Sequence, residues 1–386
     1  MVQQIFKMTV APAFSDHIND PQPAWSDVTY FRLYLDHPIN SQPYLDKLGN
    51  FEPYVLFDVA KASYNPGSKP NKPLWNALSD VIPFYQKNFG IDGARIDMGH
   101  ALPGELITMI IDKAKAIDPN FSFIAEELDP ENAKVSIQKG YNMIIGNGFL
   151  MEPRIQEGKF NQFVYSSPSL ASYVFACGET HDTPRLSARQ GKEVLTKMLT
   201  MFNFFIPNMV PFINSGQEVF EVQPMNTGID CTPESAFELP ENDPLYGKLA
   251  LFDRYGFHYL HPRRWEMIRK IEEAAQIREK MLDVLLKPKN ALPLGFSAPW
   301  DLAAGFAYPS KNKVSLVIAN TDTENDKEHY IRLDNLPDAY KVEGKAITQI
   351  FSSEDHPIDE NATVLSGSAL KLYFKKGEVK IIELKA

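Results

Sequence analysis

From Gly90 to Glu218 the sequence keeps one rhythm. Short apolar runs alternate with stretches long enough for helices. Ala94–Ile96, Phe121–Ala125, Tyr141–Gly146, Tyr173–Gly178 and Pro207–Asn214 read as strands. Pro73–Asn88, Pro103–Ala116, Pro130–Lys139 and Lys192–Phe205 read as helices, several opening on a proline that suits a first turn. A looser segment spans Met151–Pro168. A polar loop then leads to an amphipathic helix from about Arg263 to Leu286. Strands separated by helices run parallel, because each helix carries the chain back to the same end of the sheet. This predicts an α/β class for the middle of the chain.

The ends differ in character. Residues 1–50 are rich in Pro, Asp and aromatics, and Pro12, Pro21, Pro23, Pro38 and Pro43 break any long helix. They read as a surface excursion carrying Trp25, Tyr30, Phe31 and Tyr34. Pro53–Val59 reads as a short strand. After residue 288, Lys313–Asn320, Ala346–Ile350, Leu370–Phe374 and Val379–Leu384 read as strands without intervening helices, a separate antiparallel β-sandwich. The expected domains are therefore the excursion (1–50), an α/β unit (51–287) and a β-domain (288–386).

Composition narrows the partners. The net charge is −10 and 44% of the residues are hydrophobic. That argues against nucleic acid and against an anionic membrane surface, and fits a neutral ligand. Two cysteines, Cys177 and Cys231, make no disulfide framework and point to a reducing, cytoplasmic compartment. No apolar run reaches the roughly 18 residues of a membrane span, and the first residues lack a signal-peptide core.

Acids recur at the strand ends. Asp97 and Glu126 are 29 residues apart, and Glu126 and Asp182 are 56 apart. A βα unit of an eightfold barrel takes roughly 30 residues, and barrel enzymes keep their reacting groups at the C-terminal ends of strands. Arg95 lies two residues before Asp97, on the same face of a strand. The pair is either a structural ion pair or a carboxylate kept ionised and aimed. Two carboxylates about 5–5.5 Å apart would serve a retaining glycosidase, one as nucleophile and one as acid/base, with a third holding substrate hydroxyls.

Four blocks, in order, resemble the α-amylase family, glycoside hydrolase family 13: Gly93–Asp97, Ile124–Glu127, Glu179–Arg185 and Val210–Glu218. Phe14–Pro23, Leu33–Pro38, Ala94–Pro103 and Gln223–Asn226 are similar to members that move maltosyl units between maltodextrins. The likeness covers most of residues 10–285; the C-terminal domain matches only in kind. It implies a (β/α)8 barrel followed by the β-sandwich. The chain before Asp97 is too short for three βα units, so the barrel is expected to be incomplete, about strands 4–8. Either a further chain then supplies the missing strands, or the sequence is that of a member truncated at its start.

The resemblance also implies roles. Asp97 matches the nucleophile, Glu126 the general acid/base and Asp182 the transition-state stabiliser. Arg95 matches the arginine that orients the nucleophile, His181 a histidine on the bound sugar, and His100 a basic residue on the acceptor side. Arg185, Gln217 and Glu127 are further candidates for substrate contact. The substrates implied are α-1,4-glucans and maltodextrins, by transfer or by hydrolysis, or by binding alone if the fragment is inactive. No cofactor is called for; calcium is compatible with the family, though its usual ligands lie partly in the missing region.

Simpler readings stand beside these. Either Glu126 or Glu127 can be the acid, and the small Ala125 before Glu126 favours the first. If the strand continues, Glu127 points to the other face, into a salt bridge. His181 can be a packed histidine and His100 a helix cap. Glu179 and Arg185 can pair, behind the site or purely structurally. Trp25, Tyr30, Trp75 and Trp300 can stack on sugar rings or belong to the core, while Phe202, Phe204 and Phe205 read as core.

Overall fold

The computed structural model describes the chain except residues 1–8, 13–30, 35–62, 65–68, 71, 98, 100–101, 146–159, 226–230, 232–233, 235–236, 245, 248–263, 298–300, 335, 337–346, 360–368 and 386. The expected strand at Pro53–Val59 lies outside the described residues, as does most of the 1–50 excursion. Contacts divide the chain into two units: Met1–Glu126 with Val135–Met143 and Thr227–Pro233, and Glu127–Lys134 with Ile144–Asn226 and Glu234–Ala386.

In the first unit, β1 (Thr9–Pro12) pairs antiparallel with β2 (Phe31–Tyr34), and β3 (Ser63–Tyr64) with β4 (Lys69–Pro70). Then the α/β rhythm begins. Helix α1 (Lys72–Phe89) leads to β5 (Gly93–Ile96), α2 (Gly104–Ile117) and β6 (Ser122–Glu126). β5 and β6 run parallel, with Arg95 opposite Ile124 and Ile96 opposite Ala125. Each helix buries one stripe. On α1 it is Trp75, Ser79, Pro83 and Gln86, and on α2 Leu106, Ile107, Ile110, Ile111 and Ala114. Three- and four-residue spacing puts each set on one face, and the two helices pack on each other. Gln86 Nε2 donates to Ala114 O at 3.1 Å, so a polar group in that contact keeps a partner. The opposite side of α1 carries exposed Val81, Phe84, Tyr85 and Phe89.

The rhythm continues through α3 (Ala133–Gln138) and β7 (Met143–Ile145). In the second unit it includes α4 (Phe160–Ser166), β8 (Tyr173–Ala176), α5 (Lys192–Asn203), β9 (Met209–Pro211) and α6 (Arg264–Leu285). β8 and β9 run parallel, with Val174 opposite Met209 and Ala176 opposite Pro211. Helix α4 forms where the sequence reads only as a loose segment. From Leu195 to Asn203 every residue of α5 is buried. Asn203 Nδ2 donates to Ala176 O at 2.9 Å, fastening the helix end to β8.

The C-terminal domain is a sandwich of two antiparallel sheets. One has the order β10 (Leu292–Pro293), β12 (Ala303–Pro309), β13 (Lys313–Asn320), β17 (Val379–Lys385), β15 (Ile347–Ser352). The other has the order β11 (Gly295–Phe296), β14 (Lys327–Arg332), β16 (Ala369–Phe374). Leu316, Ile318, Ile331, Leu370, Leu372, Phe374 and Ile382 fill the space between them. Tyr308 hydroxyl donates to Phe205 O, and Tyr165 hydroxyl to Leu294 O at 2.8 Å. The larger sheet is therefore covered on both faces, which explains the nearly unbroken apolar run of β13. The fold is of the expected class: strands β5–β9 of an α/β barrel, fewer than eight among the described residues, and a C-terminal antiparallel β-sandwich.

Candidate active site

The first unit gathers two acids around one guanidinium. β5 ends at Ile96, so Asp97 opens the following turn with its side chain 62% exposed. Arg95 points to the same side. Its Nη1 lies 2.7 Å from Asp97 Oδ1, and its Nη2 lies 3.3 Å from Glu126 Oε1. The parallel register makes this meeting possible, because Ile96 faces Ala125 and Glu126 follows one step on. Alternation along β6 buries Phe123 and Ala125 and turns Glu126 the other way. A planar fork presents its two terminal nitrogens to separate carboxylates, which a lysine cannot do.

Two further contacts shape this unit. Gly99 is buried, and a Cβ there would sit 2.4 Å from the hydroxyl oxygen of Tyr141. Burial pushes the Tyr141 phenol up to about 12. Phe123 N donates to Asn142 Oδ1 and Asn142 N to Phe123 O, both at 2.8 Å, pinning the chain just before β7. His100 lies outside the described residues.

Glu127 bonds locally. Its Oε1 accepts from Asp129 N at 3.1 Å and from Asn132 Nδ2 at 3.4 Å. The carboxylate thus ties a local turn through hydrogen bonds, where the sequence reading expects a salt bridge or a substrate contact.

In the second unit the chain leaves β8 through Cys177 and Gly178 into a loop, Glu179–Leu186, that carries His181 and Asp182. His181 Nε2 lies 3.1 Å from Asp182 Oδ2, with the side chains 43% and 28% exposed. Short-range bonds shape the tip. Thr180 N donates to Thr183 Oγ1 at 2.8 Å, Asp182 N to Thr180 Oγ1 at 3.2 Å, and Thr183 N to Thr180 O at 3.3 Å.

Glu179 and Arg185 form a pair whose side chains are wholly buried, with Nη1 2.8 Å from Oε1. Arg185 also donates from Nη1 to Ser215 O and from Nε to Gln223 O, both at 2.8 Å. Asn214 Nδ2 donates to Glu179 Oε1 at 3.0 Å, and Leu186 N to Oε2 at 2.7 Å. Gln217 is buried as well. Its Oε1 accepts from Asn214 N at 3.1 Å and its Nε2 donates to Thr200 Oγ1 at 2.7 Å. Arg185, a candidate for substrate contact by sequence, thus spends these polar atoms on joining its loop to the segment after β9, and Gln217, another candidate, on tying that segment to itself and to α5.

The candidate aromatics divide. Trp75 is 2% exposed and belongs to the core, as do Phe202, Phe204 and Phe205. Trp25, Tyr30 and Trp300 lie outside the described residues. Sequence reasoning found the Glu179–Arg185 pair but missed Asn214, Thr180, Thr183 and Tyr141. A Thr-x-x-Thr pattern spanning His181 and Asp182 was the one local signal. Among the described residues, no group of three or more His, Cys, Asp or Glu is placed to hold a metal ion. No helix among them is long and apolar enough to cross a membrane.

No family model matches the sequence, and no match emerges among curated proteins. Solved structures do match. An Anoxybacillus alpha-amylase is similar over 91% of this chain and 73% of its own, with 14% identity and a TM-score of 0.58. The alpha-amylase of Geobacillus thermoleovorans, solved with acarbose, is similar over 91% and 74%, with 14% identity and a TM-score of 0.56. A cyclomaltodextrinase is similar over 86% of this chain but 52% of its own, with 14% identity and a TM-score of 0.58. At such identity the likeness carries the fold, which is that of the α-amylases.

Proposed function

We propose that this chain is a retaining α-glucan-active enzyme that transfers maltosyl units between α-1,4-linked maltodextrins. The observation that carries the reading is the Arg95 fork joining Asp97 and Glu126 at the ends of adjacent parallel strands, in a chain with an α-amylase fold. Barrel enzymes place their reacting groups there.

In this reading Asp97 attacks the anomeric carbon. Oδ1 is engaged by Arg95, so Oδ2 forms the new bond. The glycosidic oxygen leaves with its electron pair and takes a proton from Glu126. The glycosyl-aspartate then meets an acceptor hydroxyl, whose proton passes to Glu126 as its oxygen displaces Asp97. The family resemblance gives Asp182 the role of stabilising the positive charge that develops on the sugar ring, and His181 a contact with the sugar. No cofactor enters any step.

The test is product analysis with maltodextrins. Longer oligosaccharides without a gain in reducing ends mean transfer. Asp97→Asn and Asp182→Asn should abolish turnover, and Glu126→Gln should lower it about 10²–10⁴-fold. A second reading is hydrolysis of the same α-1,4-glucans, favoured by the amylases among the structural neighbours. It predicts a rise in reducing ends. Binding of maltodextrin without turnover would sink both and leave a glucan-binding role.

A further inference from the structure

We propose that Glu179 is a positioning residue for Asp182, acting as a clasp at the base of the loop that carries it. The inference deepens the glucan reading above and rests on it.

The loop's shape motivates the assignment. Glu179 stands at its first position and accepts, through Oε2, from the amide of Leu186 at its last. One side chain thereby closes the loop on itself. Packing reinforces the closure, since a Cβ on Gly178 would meet Leu186 Cδ1 at 2.7 Å. Through Oε1 the same carboxylate takes Arg185 Nη1 and Asn214 Nδ2. Arg185 then reaches Ser215 O and Gln223 O. The loop after β8 is thus fixed to the loop after β9 at its two ends, while His181 and Asp182 stand at the more exposed tip.

Burial makes the clasp hard to replace. Both side chains of the pair have no solvent exposure, so neither charge can turn to water when the other is removed. A glutamine at 179 keeps one acceptor oxygen but sets an NH₂ group against donors on one side. The amide of Leu186 or the donors at Oε1 must then lose a partner, and the loop base opens. A misplacement of about 1 Å at a reacting group costs on the order of 10²-fold in rate.

The experiment compares the full chain with its Glu179→Gln variant by amide hydrogen exchange and by turnover of maltodextrin. Exchange at Thr180, Asp182 and Thr183 should rise by about tenfold or more, while β8, β9 and α5 keep their protection. The kcat should fall about 10²-fold with KM little changed, the split expected when a transition-state contact loses its geometry but binding persists. Where Glu179→Gln does not fold, Glu179→Asp keeps the charge beside Arg185, shortens the reach to Leu186, and is read in the same two ways. Unchanged exchange at the three amides in a folded variant overturns the clasp. Raised exchange with unchanged kcat overturns the link to Asp182. A wild-type chain that leaves maltodextrins untouched sinks the glucan reading instead, and the exchange result still decides whether Glu179 orders the loop.

Discussion

Arg95 reaches Glu126 as well as Asp97, with Nη2 3.3 Å from Glu126 Oε1 and Nη1 2.7 Å from Asp97 Oδ1. One cation therefore sets the spacing of two acids on adjacent strands. Arg95→Lys keeps the charge and loses the fork. We expect kcat/KM on maltodextrin to fall about 10²-fold. The loss of stability should be under about 1 kcal/mol, because Asp97 is largely exposed and such pairs contribute little. Kinetics and thermal unfolding of one variant check both halves; a lysine variant with wild-type kinetics would refute the first.

Gly99 is required by its neighbour rather than by its own backbone. A methyl group there would lie 2.4 Å from the Tyr141 hydroxyl but 3.5 Å from the ring carbon that bears it. Gly99→Ala should cost about 1–3 kcal/mol by overpacking. Adding Tyr141→Phe removes the clashing oxygen and should recover most of that. Urea unfolding of the single and double variants reads the coupling, and simple additivity would mean the two residues do not meet.

His329 should make the β-domain sensitive to mild acid. Burial lowers its tendency to take a proton, with Asp301 opposing and Lys327 reinforcing. Asn320 Nδ2 donates to Asn325 O and Lys375 O, so its Oδ1 faces the ring nitrogen 3.1 Å away. That network assigns the proton of the neutral ring to Nε2. A folded-state value below the unfolded one, about 6.5, means stability is complete above that pH. It is lost as the pH falls from there through the folded value, because the unfolded chain binds the proton first. Midpoints of thermal unfolding should drop from pH 7.5 to 5.5, and His329→Gln should flatten the drop.

Lys380 and Glu378 are both fully buried, 2.7 Å apart. Burial pushes the Lys380 ammonium down, and Glu378 opposes that shift. Lys380→Met leaves Glu378 with Ser352 Oγ, Lys375 N and His356 Nδ1, the last 3.4 Å away, but without its lysine. The expected loss is about 3–5 kcal/mol. Pairing it with Glu378→Gln should return part of the loss, and denaturant midpoints measure both. A double variant no better than the single would argue against the unpaired charge as the cause.

What the sequence made legible follows from locality. Helix α2 and strand β6 stand out because their apolar spacing is set by their own burial. Strand β12, Ala-Ala-Gly-Phe-Ala-Tyr-Pro, escaped notice because small residues carry little strand signal. Strand β14, Lys-Glu-His-Tyr-Ile-Arg, escaped because only alternate positions are buried and one of them is a histidine. Strand β12 is fixed by its hairpin with β13, and strand β14 by pairing with the distant β16. Helix α4 is too short for its period to show. At the site, Arg95, Asp97 and Glu126 were readable from spacing. The engagement of Arg185 and Gln217 within the protein was not, because Ser215, Gln223 and Thr200 reach them only through the fold.

The bond from Leu186 N to Glu179 Oε2 works as a ruler. Its two ends belong to fixed positions in the chain, so it tolerates a change of letter between them far better than a change of count. Inserting or deleting one residue between Thr180 and Pro184 would force the closure to break or the tip to buckle, whichever side chains were kept. Descent should then hold this segment constant in length, together with the His181 and Asp182 that its tip presents. That length, along with Asp182, would mark the chains that inherited the same loop.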